Sequence, residues 1–168
     1  VAVQAEKSNT QIALYAATIK AGGVYLPLNT GYTTSELDYF IKDSSAKIII
    51  VDKNVENKIV NNLDANTVLL TLNSDETGSL TNLAYEQEFF FDTIERGPDD
   101  LAAILYTSGT TGKSKGAILS HQNLLSNTKV LKEYWKFTKE DVLLHMLPIY
   151  HTHGLFVASN LLAYVGGS

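Results

Sequence analysis

The chain has 168 residues, of which 45% are apolar, and its 13 basic and 18 acidic side chains give a net charge of −5. This balance provides no basic surface for nucleic acid or an anionic membrane, and no run of 18 apolar residues is available to cross a bilayer. Cysteine is absent, which excludes disulfides and thiol nucleophiles, and because no signal peptide is visible we expect a cytoplasmic location.

Strands and helices are predicted to alternate through the first 72 residues, which favours βαβ units and a parallel sheet. The strands are predicted at residues 1–4, 24–28, 47–51 and 67–72, and the helices at residues 9–22, from 33 onward, and at 55–63. In the first helix Ile12, Ala16 and Ile19 share one face, which we expect to be buried. Thr33 and Glu36 have the spacing of a capping box at the start of the second helix.

The acidic connection, residues 73–100, interrupts this alternation with eight acids and a single base, Arg96. We interpret it as a solvated connection with one short helix near residues 84–91. After it, strands are predicted at residues 101–106, 117–120 and 142–147. Ser120 is the predicted N-cap of a further helix. One face of that helix is expected to pack in the core, namely Leu124, Thr128, Leu131 and Trp135.

The most informative segment, residues 106–116, reads Tyr-Thr-Ser-Gly-Thr-Thr-Gly-Lys-Ser-Lys-Gly. Glycine lets backbone N–H groups turn toward an anion at close range, and consecutive N–H groups form a positively charged nest. Hydroxyl groups and two lysines add further donors, so a polyphosphate is the expected ligand. The predicted phosphate-binding residues are Thr107, Ser108, Gly109, Thr110, Thr111, Gly112, Lys113 and Lys115.

Three other interpretations compete for this segment. A Walker A loop fails because Thr107 stands where that motif needs its first glycine. Residues 112–116 match a Gly-x-Ser-x-Gly nucleophile elbow, with Asp141 and His151 following in hydrolase order. The elbow requires a helix directly after it, whereas a strand is predicted there, and only 37 residues separate Ser114 from His151. A plain surface turn would not need the hydroxyls, the lysines and a preceding strand.

A second candidate segment, residues 148–154, reads Pro-Ile-Tyr-His-Thr-His-Gly and follows a predicted strand. Ligands of open parallel sheets collect at the carboxyl ends of strands, so His151, and less strongly His153, are functional candidates. Histidines two positions apart point to opposite sides of an extended chain, so we predict no metal site. His145 is interpreted as a core residue and His121 as a residue of a first helical turn.

These segments together resemble the adenylate-forming superfamily of AMP-binding enzymes and acyl-CoA synthetases. Residues 106–116 resemble its phosphate-binding signature, with Ser114 where many members have proline. Tyr150–His151 resembles its aromatic–histidine pair, and residues 19–28 resemble its early Lys-Ala-Gly-x-x-Tyr-x-Pro segment. The closest resemblance is to malonyl-CoA synthetases, on residues 133–135 and 145–160.

The resemblance implies ATP-dependent activation of a carboxylate, malonate in particular, as an acyl-adenylate that then forms a thioester with CoA. It implies ATP, Mg²⁺, CoA and a carboxylic acid as small-molecule partners. Tyr150 and His151 would line the acyl pocket, and His151 and Lys115 would act catalytically. Two alternatives stay open, namely another acyl-CoA ligase acting on a fatty or aryl acid, and a non-catalytic nucleotide-binding fragment.

Both ends of the sequence look cut, so we expect an incomplete part of the large N-terminal domain of such an enzyme, without its C-terminal domain. Its implied fold is α/β, with parallel-sheet βαβ layers and flanking helices. The expected division is a βαβ scaffold at 1–72, the acidic connection at 73–100, and the phosphate loop with the aromatic–histidine motif at 101–168. Because later family motifs and the malonate-clamping arginine lie downstream, we expect the segment alone to be inactive.

Overall fold

A computed structural model describes residues 1–107 and 114–168 of the chain. The strands are β1 (Ala2–Gln4), β2 (Leu26–Pro27), β3 (Ile48–Val51), β4 (Val68–Thr71), β5 (Leu101–Thr107) and β6 (Lys115–Ser120). The helices are α1 (Asn9–Lys20), α2 (Thr34–Ser44), α3 (Lys53–Ile59), α4 (Ser79–Tyr85), α5 (His121–Trp135) and α6 (Asn160–Val165). A 3₁₀ turn, Val60–Asn62, follows α3, and a π-helical segment, His153–Ser159, precedes α6.

The strands form one continuous layer. The order β2-β1-β3-β4 is parallel throughout, as the alternating sequence pattern predicts. Beside β2, the Tyr25 N–H donates to the Ala102 carbonyl at 2.9 Å, and the Ile104 N–H donates to the Tyr25 carbonyl at 3.0 Å. These bonds add β5 in parallel, and β6 then pairs antiparallel with β5. The carboxyl ends of β1, β2 and β5 therefore lie along the same edge of the layer.

Helices cover both faces of this sheet, and the alternation of side chains along each strand supplies a core on each face. On one face, Val3 and Ile50 belong to a cluster with Tyr15 of α1 and Phe156 of the π-helical segment. On the other face, Ala2 and its neighbours pack against α2 and α3. The α/β fold with flanking helices predicted from the sequence is confirmed.

The helix caps form where the sequence predicts them. The Thr33 hydroxyl accepts from the Glu36 N–H at 3.3 Å, while the Glu36 carboxylate accepts from the Thr33 N–H at 2.8 Å, which completes the capping box of α2. The Ser120 hydroxyl accepts from the Asn123 N–H at 3.2 Å at the start of α5. Each cap satisfies a backbone N–H that the helix itself leaves without a partner.

Two predictions about helices are corrected. In α1 the buried residues are Gln11, Tyr15 and Thr18 rather than the predicted Ile12–Ala16–Ile19 face, because the Tyr15 ring packs edge-on against Tyr25. Ile12 and Ile19 are half-buried, and Ala16 is exposed. The helical face of α5 is buried at Thr128 and half-buried at Leu124 and Leu131, whereas Trp135 is half exposed.

The helix predicted at residues 84–91 lies earlier, at α4. Gly78, at φ +145°, turns the chain directly before it, and the Ser79 hydroxyl accepts from the Thr71 N–H at 2.9 Å. A Cβ on residue 78 would lie 2.2 Å from the Thr71 carbonyl oxygen, so only glycine fits this turn. The polar bonds to Thr71 therefore fix the start of α4.

The strand predicted at residues 142–147 does not form among the described residues. Its apolar side chains alternate as in a strand, and Val142, Leu144 and Met146 are about four-fifths exposed. The Leu143 N–H donates to the Ser168 carbonyl at 2.7 Å, but no described strand lies beside the segment. A strand needs a neighbouring strand to pair with its backbone N–H and carbonyl groups, and the local sequence pattern cannot supply one.

No helix within residues 1–107 and 114–168 is long and apolar enough to span a bilayer.

Candidate functional site

A cavity of about 350 Å³ lies at the edge of the sheet where β2 and β5 end. Its lining combines the ends of those strands with the second candidate segment: Pro27, Asn29, Tyr32, Leu105, Tyr106, Thr107, Tyr150, His151 and Thr152. We call it the strand-end cavity. The fold thus brings the start of the glycine-rich loop and the aromatic–histidine pair to one place, although more than 40 residues separate them in the sequence.

The glycine-rich loop leaves the sheet from β5 and returns at β6. Thr107 and Lys115 are directly opposite each other in this antiparallel pair, so their side chains lie on the same face of the hairpin. The Lys115 side chain is exposed. The other predicted phosphate-binding residues lie outside the described residues: Ser108, Gly109, Thr110, Thr111, Gly112 and Lys113. The start of β6 at Lys115 also argues against the hydrolase elbow, which needs a helix at that position.

His151 and Thr152 line both the strand-end cavity and a second, larger cavity. The second cavity measures about 700 Å³ and is lined by Leu147, Pro148, His151, Thr152, His153 and Gly154. The Tyr150 and His151 rings are 4.7 Å apart, inclined at 57°. An exposed imidazole shared by two cavities can contact ligands held on either side of it.

A tight chain reversal presents His151 between the cavities. The Leu155 N–H donates to the His151 carbonyl at 3.0 Å, and the buried Ile149 anchors the segment in the core. A Cβ on Gly154 would lie 2.1 Å from the Pro148 carbonyl oxygen, closer than any side chain permits. Glycine is therefore required at residue 154 by the close approach of two backbone segments.

His145 was expected to be a core residue, but it is half-buried and connects separate parts of the chain through hydrogen bonds. Its Nε2 lies 3.0 Å from both the Gly154 carbonyl and the Ser159 hydroxyl. On its other side, the Lys7 ammonium lies 2.9 Å from His145 Nδ1 and donates to the carbonyls of His145 and Leu147. Lys7 follows β1, so it ties the site segment to the scaffold. The sequence gives no local signal for this contact, which spans 138 residues.

The Gln4 side chain, buried at the end of β1, supports the opposite wall of the strand-end cavity. Its amide donates to the carbonyls of Asn29 at 2.9 Å and Tyr32 at 3.2 Å. These bonds fix the turn that carries two of the lining side chains. The role of Gln4 was not predicted, because a single glutamine in a strand has no pattern that distinguishes it.

Two of the phenols that line the strand-end cavity, those of Tyr32 and Tyr106, have raised pKa values and stay neutral at physiological pH. Burial raises the pKa of Tyr32, and the negative charge of Glu36 acts in the same direction. Burial also raises the pKa of Tyr106, and the hydrogen bond that its hydroxyl donates to Asp43 adds to this effect. Neutral phenols donate hydrogen bonds without repelling a bound anion.

The remaining candidates lie apart from this arrangement. The Arg96 guanidinium donates to the Gly22 carbonyl at 3.1 Å, and Arg96 does not line either cavity. His153 lines the larger cavity, and His121 is the first residue of α5, as expected. Among the described residues, no group of three or more His, Asp or Glu side chains is arranged to hold a metal ion.

Comparisons with known proteins identify relatives of the chain. A family described as AMP-binding enzyme matches residues 1–168. A malonate–CoA ligase of Arabidopsis thaliana is 32% identical over 161 residues, which cover 94% of this chain and 26% of that protein. A mitochondrial malonate–CoA ligase of Mus musculus is 36% identical over 141 residues, 83% of this chain and 24% of that protein. An oxalate–CoA ligase of Arabidopsis thaliana is 31% identical over 160 residues, 92% of this chain and 31% of that protein.

Solved structures resemble the chain still more closely. MatB of Rhodopseudomonas palustris, in apo and ATP-bound crystal structures, is 56% identical with a TM-score of 0.96, over 99% of this chain and 33% of that one. The chain therefore spans about a quarter to a third of the length of these relatives. Because one relative is mitochondrial, the cytoplasmic location expected from the sequence stays a prediction.

Proposed function

The chain belongs to the AMP-binding enzyme family, and from this we propose that it carries the triphosphate-binding part of an ATP-dependent carboxylate–CoA ligase. In the proposed reaction, a carboxylate oxygen attacks the α-phosphorus of ATP, and pyrophosphate leaves. The thiolate of CoA then attacks the acyl carbonyl, the thioester forms, and AMP leaves. The chain has no cysteine of its own, and in this scheme the sulfur comes from CoA.

One observation carries the proposal, namely the strand-end cavity that Thr107 shares with Tyr150 and His151. We assign the β- and γ-phosphates to the loop that begins at Thr107 and ends at Lys115, where hydroxyls, backbone N–H groups and ammonium groups can neutralise the leaving pyrophosphate. We assign the α-phosphate to His151. An imidazole N–H there would stabilise the charge that develops on the phosphate oxygens as the carboxylate attacks.

The larger cavity is our proposed site for the acid, with His151 at the boundary between it and the nucleotide and Tyr150 beside His151 on the nucleotide side. The hydroxyl and ammonium donors assigned to this site suit phosphate oxygens. Mg²⁺ would enter bound to the triphosphate, because the described residues offer no cluster of carboxylates and histidines for a separate ion. We further propose that sequence beyond these 168 residues, including a C-terminal domain, completes the CoA and adenine sites.

Malonate is the proposed acid because relatives named as malonate–CoA ligases match most of this chain. A relative named as an oxalate–CoA ligase makes a second dicarboxylate the specific alternative. None of the described residues that line the two cavities is Lys or Arg. We therefore propose that a permanently charged partner of the distal carboxylate comes from outside these lining residues, and Arg96 does not fill that role.

The central experiment replaces Lys115 with alanine in the protein expressed with its natural flanking sequence. Loss of a charged hydrogen-bond donor to phosphate costs about 1.5–3 kcal/mol, so ATP–pyrophosphate exchange at low ATP should fall about 10- to 100-fold. Lys129→Ala, on the exposed surface of α5, is the matched control. Unchanged exchange by the Lys115→Ala protein at low ATP would exclude the phosphate role.

A second experiment separates His151 from the phosphate loop. His151→Ala should lower acyl-adenylate formation about 100-fold while the equilibrium affinity for ATP changes much less, because the proposed contact strengthens in the transition state. A panel of malonate, oxalate, a medium-chain fatty acid and benzoate then identifies the acid. If the protein binds ATP but none of the acids tested supports ATP–pyrophosphate exchange, the non-catalytic nucleotide-binding alternative is favoured.

A further inference from the structure

Helix α2 contacts both ends of the phosphate loop, although it lies far from the loop in sequence. The Tyr39 hydroxyl donates a hydrogen bond of 2.9 Å to the carbonyl of Ser114, the residue directly before β6. The Asp43 carboxylate accepts a hydrogen bond of 2.5 Å from the hydroxyl of Tyr106, next to the end of β5. Because Tyr39 and Asp43 are four residues apart, they lie one above the other on the same face of α2.

Aromatic packing reinforces these two hydrogen bonds. The Tyr106 ring lies 4.4 Å from the ring of Phe40, and it meets the ring of Tyr39 edge-on at 6.1 Å. Phe40 is 1% exposed, and Leu37 on the same helix is equally buried, so α2 is held firmly in the core. The helix is therefore a fixed support against which the loop ends can be positioned.

Strand β5 is fixed in the sheet beside β2, whereas β6, the returning strand of the hairpin, has few contacts beyond β5 among the described residues. Residues 115–118 of β6 are exposed, and β6 pairs only with β5 among the described strands. The carbonyl of Ser114 and the N–H of Lys115 belong to one planar peptide group. A hydrogen bond from Tyr39 that fixes this carbonyl therefore also fixes the peptide from which the Lys115 side chain departs.

We infer that Tyr39 and Asp43 are positioning residues for Lys115 and Thr107, the described ends of the triphosphate-binding loop, an inference that rests on the proposed function. Neither residue lines the strand-end cavity. Each acts through a residue at one end of the loop, Tyr39 through Ser114 and Asp43 through Tyr106. With Thr107 and Lys115 held in position by α2 before ATP arrives, less conformational freedom of these two residues is lost on binding, and ATP binds more tightly.

The test measures equilibrium binding of MgATP by calorimetry, and ATP–pyrophosphate exchange at saturating ATP, in the protein with its natural flanking sequence. Tyr39→Phe removes one hydroxyl and keeps the ring, and Asp43→Ala removes the other partner. Each should weaken ATP binding about fivefold, the factor that corresponds to one lost hydrogen bond. Exchange at saturating ATP should stay within about twofold, because neither residue contacts the reacting atoms.

Matched variants separate positioning from general stability. Asp43→Asn keeps an oxygen that can accept from Tyr106, so it should restore ATP affinity to within about twofold of the unsubstituted protein. Lys42→Ala on the same helix, and Tyr85→Phe on α4, should leave the affinity unchanged. The double variant Tyr39→Phe with Asp43→Ala should bind ATP about 25-fold more weakly if the two loop ends contribute independently.

The outcomes distinguish this inference from the proposed function on which it rests. No binding of ATP by the unsubstituted protein would overturn both. Normal binding by that protein and by Tyr39→Phe and Asp43→Ala would overturn the inference alone. A lowered unfolding midpoint with unchanged ATP affinity would assign the two contacts to stability and would also overturn it. If the Asp43→Asn protein bound ATP as weakly as the Asp43→Ala protein, the hydrogen bond between Tyr106 and Asp43 would be excluded as the positioning contact.

Discussion

Residues 1–72 and residues 101–168 differ in how much of each region is held in place by burial. In the first region Val3 and Ile50 are at most 1% exposed, and β1 and β3 each have a strand on both sides. In the second region Ile118 of β6 is 60% exposed, and Leu144 is 82% exposed. The second region shares the buried core through residues such as Ala103, Ile149 and Phe156. Its exposed parts, β6 and residues 142–147, depend instead on a small number of polar contacts.

Because of this difference, the residues that stabilise the sheet and the residues that hold the proposed ligand contacts are largely different residues. The buried strands of the first region set the position of the sheet edge, and Gln4, at the end of β1, supports the cavity wall there. Lys7 and α2 then hold the chain segments that carry the proposed ligand contacts. Changes to the buried side chains of the strands should therefore act mainly on stability, and changes to the polar residues that hold the site segments mainly on activity.

The largest expected effect comes from comparing the same type of substitution, isoleucine to alanine, at one position in each region. Ile50→Ala removes a fully buried side chain from the core and should lower the free energy of unfolding by about 2–5 kcal/mol. Ile118→Ala, on the exposed β6, should cost about 0.5 kcal/mol or less. Urea unfolding measures both. Equal losses at the two positions would contradict the difference in burial between β3 and β6.

A glycine in the second region provides the next test. In Gly154→Ala the new methyl group would clash with the Pro148 carbonyl, so the chain reversal that presents His151 must shift. A displacement of about 1 Å can reduce catalysis about 100-fold, and we expect at least this loss in ATP–pyrophosphate exchange. Gly97→Ala is the control, because its new methyl group would meet its nearest neighbour at 3.7 Å. Exchange within tenfold of normal in Gly154→Ala would contradict this geometry.

Local sequence signals predicted most of the first region. The β-branched run at residues 47–51 became β3, and Thr33 and Glu36 formed their capping box. Such features depend on residues within one turn or one strand of each other, so they are visible in the sequence. The correction in α1 has a tertiary cause, because Tyr15 is buried by its contact with Tyr25.

The second region was less predictable, since its order depends on distant partners. Residues 142–147 have a strand pattern, but no described strand lies beside them. The glycine-rich segment and Tyr150–His151 could be identified from their residue types, which define the chemistry of a ligand. Their supports could not, because Lys7 and Tyr39 make contacts across 138 and 75 residues without any recurring pattern.

The link between the two regions can be tested at Lys7. Lys7→Met keeps an unbranched side chain but removes the ammonium that contacts His145 and the Leu147 carbonyl. The segment before His151 loses its tie to β1, so exchange should fall about tenfold while the unfolding midpoint changes little. Lys20→Met, at the exposed end of α1, is the matched control. A normal rate in Lys7→Met would show that the two regions are aligned without this tie.

The smallest expected effect concerns acid and returns to the first region. Hydrogen bonds from the Thr33 N–H and hydroxyl lower the pKa of Glu36 in the folded protein. Its contribution to stability is therefore present above the unfolded pKa, about 4.3, and is lost as the pH falls through the lower folded value. Thr10 lowers the pKa of Glu76 in the same way, so acid should weaken contacts at the first turns of both α2 and α1.

Glu36→Gln separates the charge of this capping box from its geometry. The glutamine oxygen can still accept from Thr33, but it does not titrate, so the loss of stability below about pH 4.3 should become slightly shallower. Urea unfolding between about pH 3 and pH 7 measures the slope, with Glu88→Gln in the exposed acidic connection as control. The same change in both variants would mean that total charge, rather than the α2 cap, sets the acid sensitivity. The second region would then be as exposed to acid as the first, because repulsion among charges acts on the whole chain.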